Sequence, residues 1–306
     1  MAPTRTRNHN GYVLFFDELG VLFDPGEGTQ RQMTLAGVSA TDLTRVAITH
    51  LHGDHSLGLA GVALRLAGES VPHPVPVCFP ASGLEQVNHL LHASVQGTHA
   101  DVVLQPIATD GVVPPVRGEV GRSDDGPTLV ARRLDHTAEA FGYRLTEPDG
   151  MSLDPVALAA AGVSGPDVGR LLADGEIRVD GRRVRVADVG VRRPGQSVAF
   201  VMDTRLCDAV GELADGVDLL VIESTFLDRD ADQAARWGHL TARQAARVAA
   251  DAGAGHLVLT HFSQRYSDPD EFEREARLEF DGPLTVANDL DRVPLPHRRR
   301  PVAREP

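Results

Sequence analysis

Thr49-His50-Leu51-His52-Gly53-Asp54-His55 places three imidazoles and one carboxylate within six consecutive positions. Residues 45–49 ahead of it, Arg-Val-Ala-Ile-Thr, are short, apolar and β-branched and predict a buried strand. Gly58 and Gly61 interrupt the chain behind it, and a helical Val62-Ala63-Leu64-Arg65-Leu66 follows. The histidines therefore fall on a loop at the C-terminal end of a strand, where open α/β sheets place their ligands. Side chains alternate along extended backbone, so His50 and His52 point one way. Asp54 and His55, beyond Gly53, turn toward a second point close by. Imidazole and carboxylate are both good zinc ligands, and the arrangement suits two metal ions. A polar loop merely rich in histidine is the alternative, but four ligand-type side chains at this spacing point to metal.

The bulk composition bounds the rest. A chain of 306 residues has room for one large α/β domain or two small ones. Its 30 basic residues are all arginine, and the formal net charge of -13 argues against indiscriminate nucleic-acid binding. An RNA partner would have to be met by local clusters of arginine. Cys78 and Cys207 lie far apart with no CxxC spacing, which fits a reducing compartment. No apolar run approaches eighteen residues and the N-terminus has no apolar signal core, so a cytoplasmic protein with no membrane association is expected.

Along the chain, strands are predicted at Tyr12–Phe16, 21–23, 75–79, Thr128–Leu134, 141–145, 197–202, 218–222 and 256–260. Helices are predicted over 29–35, 83–92, 155–161 and 242–252, the last capped near Thr241. Residues 24–30, Asp-Pro-Gly-Glu-Gly-Thr-Gln, read as a glycine-rich turn without the Lys-Ser/Thr of a phosphate loop. His9, His73, His89, His92, His99, His256 and His297 read as ordinary surface or packing histidines. Between 176 and 193 six arginines face Glu176, Asp180 and Asp188, a net +3 stretch in an acidic chain. It predicts an insertion over 149–194. From Val293 the chain is rich in proline and arginine and predicts a mobile basic tail over 293–306. His50, His136, Asp203, Glu223 and His261 each sit at the end of a predicted strand. Strands of one sheet share an edge, so these residues can converge across more than 200 positions.

These motifs identify a resemblance. Thr49–His55 matches the HxHxDH signature of the metallo-β-lactamase superfamily, and the chain closely resembles its ribonuclease Z branch, the tRNA 3'-processing endonucleases. FDPGEGTQRQ (23–32), ITHLHGDHSLGLAG (48–61), LDHTAEAFGYRL (134–145), MDTR (202–205), IESTF (222–226), GHLT (238–241) and LTHFSQRY (259–266) stand in family order. The resemblance implies an α/β fold, the metallo-β-lactamase αββα four-layer sandwich, as a single domain with the 149–194 insertion as a flexible arm that holds tRNA. It implies two Zn2+ per chain: His50, His52 and His136 on one, Asp54, His55 and His261 on the other, Asp203 bridging. Glu223 and His239 resemble the family's proton-relay pair beside the leaving oxygen, with Asp54 also catalytic. Pro3-Thr4-Arg5-Thr6-Arg7-Asn8 resembles the family's loop near the cleavage site, which makes Arg5, Arg7 and Asn8 substrate contacts.

The implied activity is zinc-dependent cleavage of the 3' trailer from precursor tRNA by metal-activated water, with a homodimer as the assembly. Three departures from the family pattern carry expectations of their own. The chain begins at the arginine loop, so a first edge strand is expected to be missing. Met202 stands where glycine is usual and is expected to crowd the metal site, and Leu240 replaces a serine. Two other readings remain open: a metallo-hydrolase acting on small molecules, and a weakly active RNA-binding relic.

Overall fold

Strand after strand, alternate side chains enter different layers, and this alternation sets the architecture. In the computed structural model, which describes residues 2–94, 100–122 and 126–298, two sheets lie at the centre of the larger unit. One has five strands in the order Tyr12–Phe16, Leu19–Phe23, Arg45–Ala47, Val75–Pro80, Val102–Ile107. The first pair is antiparallel and the others are parallel. The other has seven, in the order Leu284–Val286, Leu257–Thr260, Leu219–Glu223, Ser197–Val201, Ala140–Thr146, Thr128–Leu134, Gly111–Val113. Its first four strands are parallel and the remainder pair antiparallel.

Val21, Phe23, Ala47 and Cys78 of the first sheet meet Leu129, Ala131, Phe141, Tyr143 and Phe200 of the second in the central core. Phe23 stacks on Phe200 with ring centroids 4.4 Å apart. Their neighbours along the chain face outward. Leu22, Val46, Val77 and Phe79 pack on helices Leu59–Gly68 and Leu84–Leu91. Ala199, Val201, Leu220 and Ile222 pack on Asp208–Ala214 and Ala242–Asp251. The αββα layering follows directly from this period of two. Burial of each large side chain contributes about 1.5–3 kcal/mol. Met202 is fully buried and packs in the central core. Leu240 is buried in the outer core of the second sheet.

Residues 147–196, with 297–298, form a second compact unit. It has its own small core of Val163, Leu171, Val184 and Val189. Two antiparallel pairs frame it, Glu176–Val179 with Arg182–Arg185 and Gly150–Leu153 with Gly190–Arg193. Helices Pro155–Ala160 and Pro166–Asp174 complete it, the first capped by Asp154. The expected tail is in part ordered. Val293 and Leu295 pack against the core around Val198, Leu219 and Val258 because their apolar side chains find cover there, and residues 299–306 lie outside the described residues. His99 lies outside them too. Among the described residues no helix is long and apolar enough to cross a membrane.

Candidate metal centre

Register brings the strand ends together. Val201 pairs with Ile222 and Glu223 with Thr260, both in parallel, so Asp203, Glu223 and His261 leave the second sheet at one edge. Thr128–Leu134 reaches the same edge with His136, and the Arg205 amide donates to the Asp135 carbonyl at 2.8 Å. The histidine loop is tied there from the first sheet. The Phe141 amide donates to the Thr49 carbonyl at 2.9 Å, and the Tyr143 hydroxyl donates to the Ile48 carbonyl at 2.7 Å. Gly58 and Gly26 permit a further close approach. A Cβ at Gly58 would stand 1.9 Å from the Gly26 carbonyl oxygen, and one at Gly26 would stand 2.1 Å from that of Asp54. The glycine-rich turn at 24–30 thus braces the histidine loop.

Three overlapping groups of ligand atoms result, one of them Asp203, His239 and His261. His50, His52, His136 and Asp203 offer atoms within 4.8 Å of one another, and so do Asp54, His55 and His261. Asp203 stands between them. Its Oδ2 is 3.5 Å from His50 Nε2 and 3.7 Å from His136 Nε2. Its Oδ1 is 3.4 Å from His55 Nε2 and 3.3 Å from His261 Nε2. Asp54 Oδ2 faces the same two nitrogens at 3.4 and 3.6 Å. Among the described residues, none of the histidines expected to be ordinary belongs to these clusters.

The donor set fits a metal. Asp203 Oδ1 and His261 Nε2 are buried and make no hydrogen bond among the described residues, and such orphaned atoms are costly without a partner of another kind. The far side of each ring is already engaged. His136 Nδ1 donates to the Gly238 carbonyl at 2.9 Å, and His55 Nδ1 donates to Asp24 at 2.8 Å. The neutral His136 ring therefore presents a lone pair on Nε2 to the centre. Burial would lower the His55 imidazole too, but Asp203 and Asp24 overcome it and hold it well above its ordinary pKa, so His55 offers that lone pair only by giving up a proton. Burial holds the His50, His52 and His136 imidazoles below their ordinary pKa, in the neutral form a metal requires. Burial would raise the Asp203 carboxyl, but His261, His55 and His50 overcome it and keep it well below the usual range. Three of the supporting residues, Asp24, Asp203 and His261, adopt positive φ of 47°, 40° and 60°. Such backbone persists only where its surroundings determine it, and it clusters at functional sites.

Glu223 and His239 form the expected pair. His239 Nδ1 lies 3.0 Å from Glu223 Oε1, with Glu223 fully buried. Thr204 and Thr225 amides also donate to this carboxylate, at 2.9 and 3.1 Å. Asp24 and Thr225 are two functional residues that sequence reasoning missed. Asp24 takes the Thr49 amide and hydroxyl as well as His55. Thr225 Oγ1 touches Glu223, His239 and His261.

The three residues expected to contact substrate divide. Arg7 donates to the Ala287 carbonyl at 2.8 Å and lies over the Phe262 ring, 4.6 Å from its centroid. Asn8 donates its side-chain amide to the Glu27 carbonyl at 2.9 Å. Both hold their loop against the body, and Arg5 is the exposed cation of the three.

Known proteins share this sequence pattern and fold. Residues 4–140 match the model of the metallo-β-lactamase superfamily, and residues 157–262 match that of the β-lactamase superfamily domain. A ribonuclease Z of Nocardia farcinica is 56% identical over 97% of this chain and 95% of its own length. The chain belongs to the ribonuclease Z family. The similarity extends to a ribonuclease Z of Chlamydia caviae, 39% identical over 96% of this chain and 93% of the relative. The fold is that of human tRNase Z, short form, at TM-score 0.67 and 24% identity, covering 97% of this chain and 96% of that one.

Proposed function

We propose that this chain is a zinc-dependent endoribonuclease that removes the 3' trailer from precursor tRNA. The observation that carries the reading is the Glu223–His239 pair set 3.9 Å from Asp203, beside two ligand clusters, in a chain of the ribonuclease Z family. His50, His52 and His136 would hold one zinc, Asp54, His55 and His261 the other, with Asp203 shared. Bound there, two zinc ions supply Lewis acidity to the phosphate oxygens and acidify the attacking water.

The chain's own residues do the rest. Asp54, the least buried carboxylate of the set, accepts the proton of the attacking water. His239, its Nδ1 engaged by Glu223, delivers the proton on Nε2 to the departing ribose 3'-oxygen. Arg5 and the arginines of the 147–196 unit supply cations for the tRNA phosphates, with Arg7 and Asn8 fixing the loop that carries Arg5. A homodimer in the cytoplasm belongs to the same reading.

Metal analysis combined with cleavage of precursor tRNA tests it. Two zincs per chain and release of the 3' trailer are expected. Asp203→Ala is expected to lose metal and nearly all turnover, while His239→Ala keeps its metal and cleaves slowly. Loss of metal from His239→Ala would overturn the division of roles, and a loaded enzyme inert toward precursor tRNA would overturn the reading.

A further inference from the structure

Trp237 is the chain's single tryptophan, and it is 57% exposed. An indole left in water is costly apolar surface, and tryptophan is favoured where a flat partner covers it. Its place is specific. It ends helix Ala231–Trp237 and immediately precedes Gly238, whose carbonyl takes the proton of His136 Nδ1. His239 follows one residue later. Two residues span at most about 7 Å of chain, so Trp237 lies within that reach of His239.

The backbone under it is fixed. Gly238 has a φ of 81°, and a Cβ there would lie 2.7 Å from His136 Nδ1, so only glycine allows this approach. The helix end is pinned from the other side by Arg205, which donates to the Ala235 carbonyl at 2.6 Å and pairs with Asp135 at 2.9 Å. Asp135 neighbours His136, so the elements that set the ligand also set the helix end that carries the indole. Arg236, next to it in the chain, is exposed as well, while the Arg205 guanidinium is paired with Asp135. An exposed aromatic plane, close along the chain to an exposed arginine and to a phosphate-processing centre, is the chemistry that binds single-stranded nucleic acid.

We propose that the Trp237 indole is a stacking platform for an unpaired base of the precursor tRNA beside the scissile phosphate. The assignment rests on the reading of the protein as a precursor-tRNA endonuclease. It gives the site a means of gripping the strand at the cleavage point that depends on neither metal nor base identity.

Because the tryptophan is single, intrinsic fluorescence reports this position alone. Rapid mixing of the zinc-loaded enzyme with precursor tRNA is expected to quench the emission before cleavage. A precursor with an abasic residue on one side of the scissile phosphate is expected to lose the quench. Trp237→Ala is expected to raise KM for precursor tRNA about 5- to 100-fold, with Trp237→Phe recovering part of it. Cleavage without any quench, or an equal quench with abasic residues on either side, overturns the platform. So does an emission that responds to protein dilution and not to RNA, which would assign the indole to contact between copies. Failure of the loaded wild-type enzyme to cleave precursor tRNA overturns the underlying reading instead.

Discussion

Asp24 holds His55: its Oδ2 lies 2.8 Å from His55 Nδ1, and both side chains are fully buried. The same carboxylate takes the Thr49 amide on Oδ1 at 2.7 Å and the Thr49 hydroxyl on Oδ2 at 2.8 Å. Donors thus converge on both oxygens. Asn at this position would turn its NH2 against one of them, while still tolerating the φ of 47°. Asp24→Asn is therefore expected to fold but to lower metal affinity about 10- to 100-fold. Competition against a chromophoric chelator measures it, and wild-type affinity would remove Asp24 from the support of the centre.

Asp24 also marks where the sequence stopped being informative. The ligands were legible because each ends a strand, and strand ends of one sheet share an edge whatever their separation along the chain. His50 and His52 added the alternation of an extended segment. Asp24 had no such signature: its partner lies 31 positions on, and its neighbours read as a turn. Local spacing does not encode a contact made between a turn and a loop. The glycines of that turn were visible as glycines, but their reason, the approach of Gly26 to the Asp54 carbonyl, is tertiary. Arg7 likewise read as a free cation because its partners, Ala287 and Asn288, are 280 and 281 positions away. Met202 follows the phase of Phe200 two residues before it, and both pack in the central core.

Burial alone would lower the pKa of the His239 imidazole, but the charge and hydrogen bond of Glu223 prevail and push it up to about 9. The direction sets the pH dependence. A folded value above the ordinary 6.5 means the stabilisation by the pair is complete below the unfolded value and is lost as pH rises through about 9. The donor needed by the leaving oxygen is present over the same range. Glu223→Gln removes the charge and is expected to bring His239 down. An NMR titration of the imidazole in metal-free protein tests this, and an unchanged midpoint in the variant would separate the two residues.

Thr225 joins this pair to the metal centre. Its hydroxyl donates its single proton to Glu223 Oε2, at 2.5 Å, so toward His261 Nδ1, at 2.7 Å, it can only accept. His261 is thereby held as the Nδ1–H tautomer with its Nε2 lone pair turned to Asp54 and Asp203. Thr225→Val leaves a buried N–H unsatisfied, a cost of about 1–3 kcal/mol. It is expected to lower the melting temperature and reduce occupancy of the cluster that holds His261, with Thr225→Ser restoring both. Metal stoichiometry read beside the melting curve checks it; full occupancy in the valine variant would count against the tautomer argument.

The hairpin of the 147–196 unit carries a conflict that function would explain. Arg178 stands directly opposite Arg183 in register, and Glu176 opposite Arg185, so three arginines and one glutamate share a face. Like charges directly opposite destabilise a strand pair. Glu176 reaches Arg183 at 3.4 Å and Arg185 at 3.8 Å, and exposed pairs of this kind contribute about 0–1 kcal/mol. The opposite face of the hairpin, with Ile177, Val179 and Val184, is spent on the unit's small core. The arginine face therefore gains nothing from the fold, and tRNA phosphates would relieve its repulsion. Replacing Arg178 and Arg183 together by Ser is expected to leave the unit as stable or more so and to weaken precursor binding at low salt. The slope of log affinity against log salt should become shallower by roughly 0.7 to 0.9 for each phosphate that the variant no longer neutralises. A slope that does not change would show that the tRNA is held elsewhere.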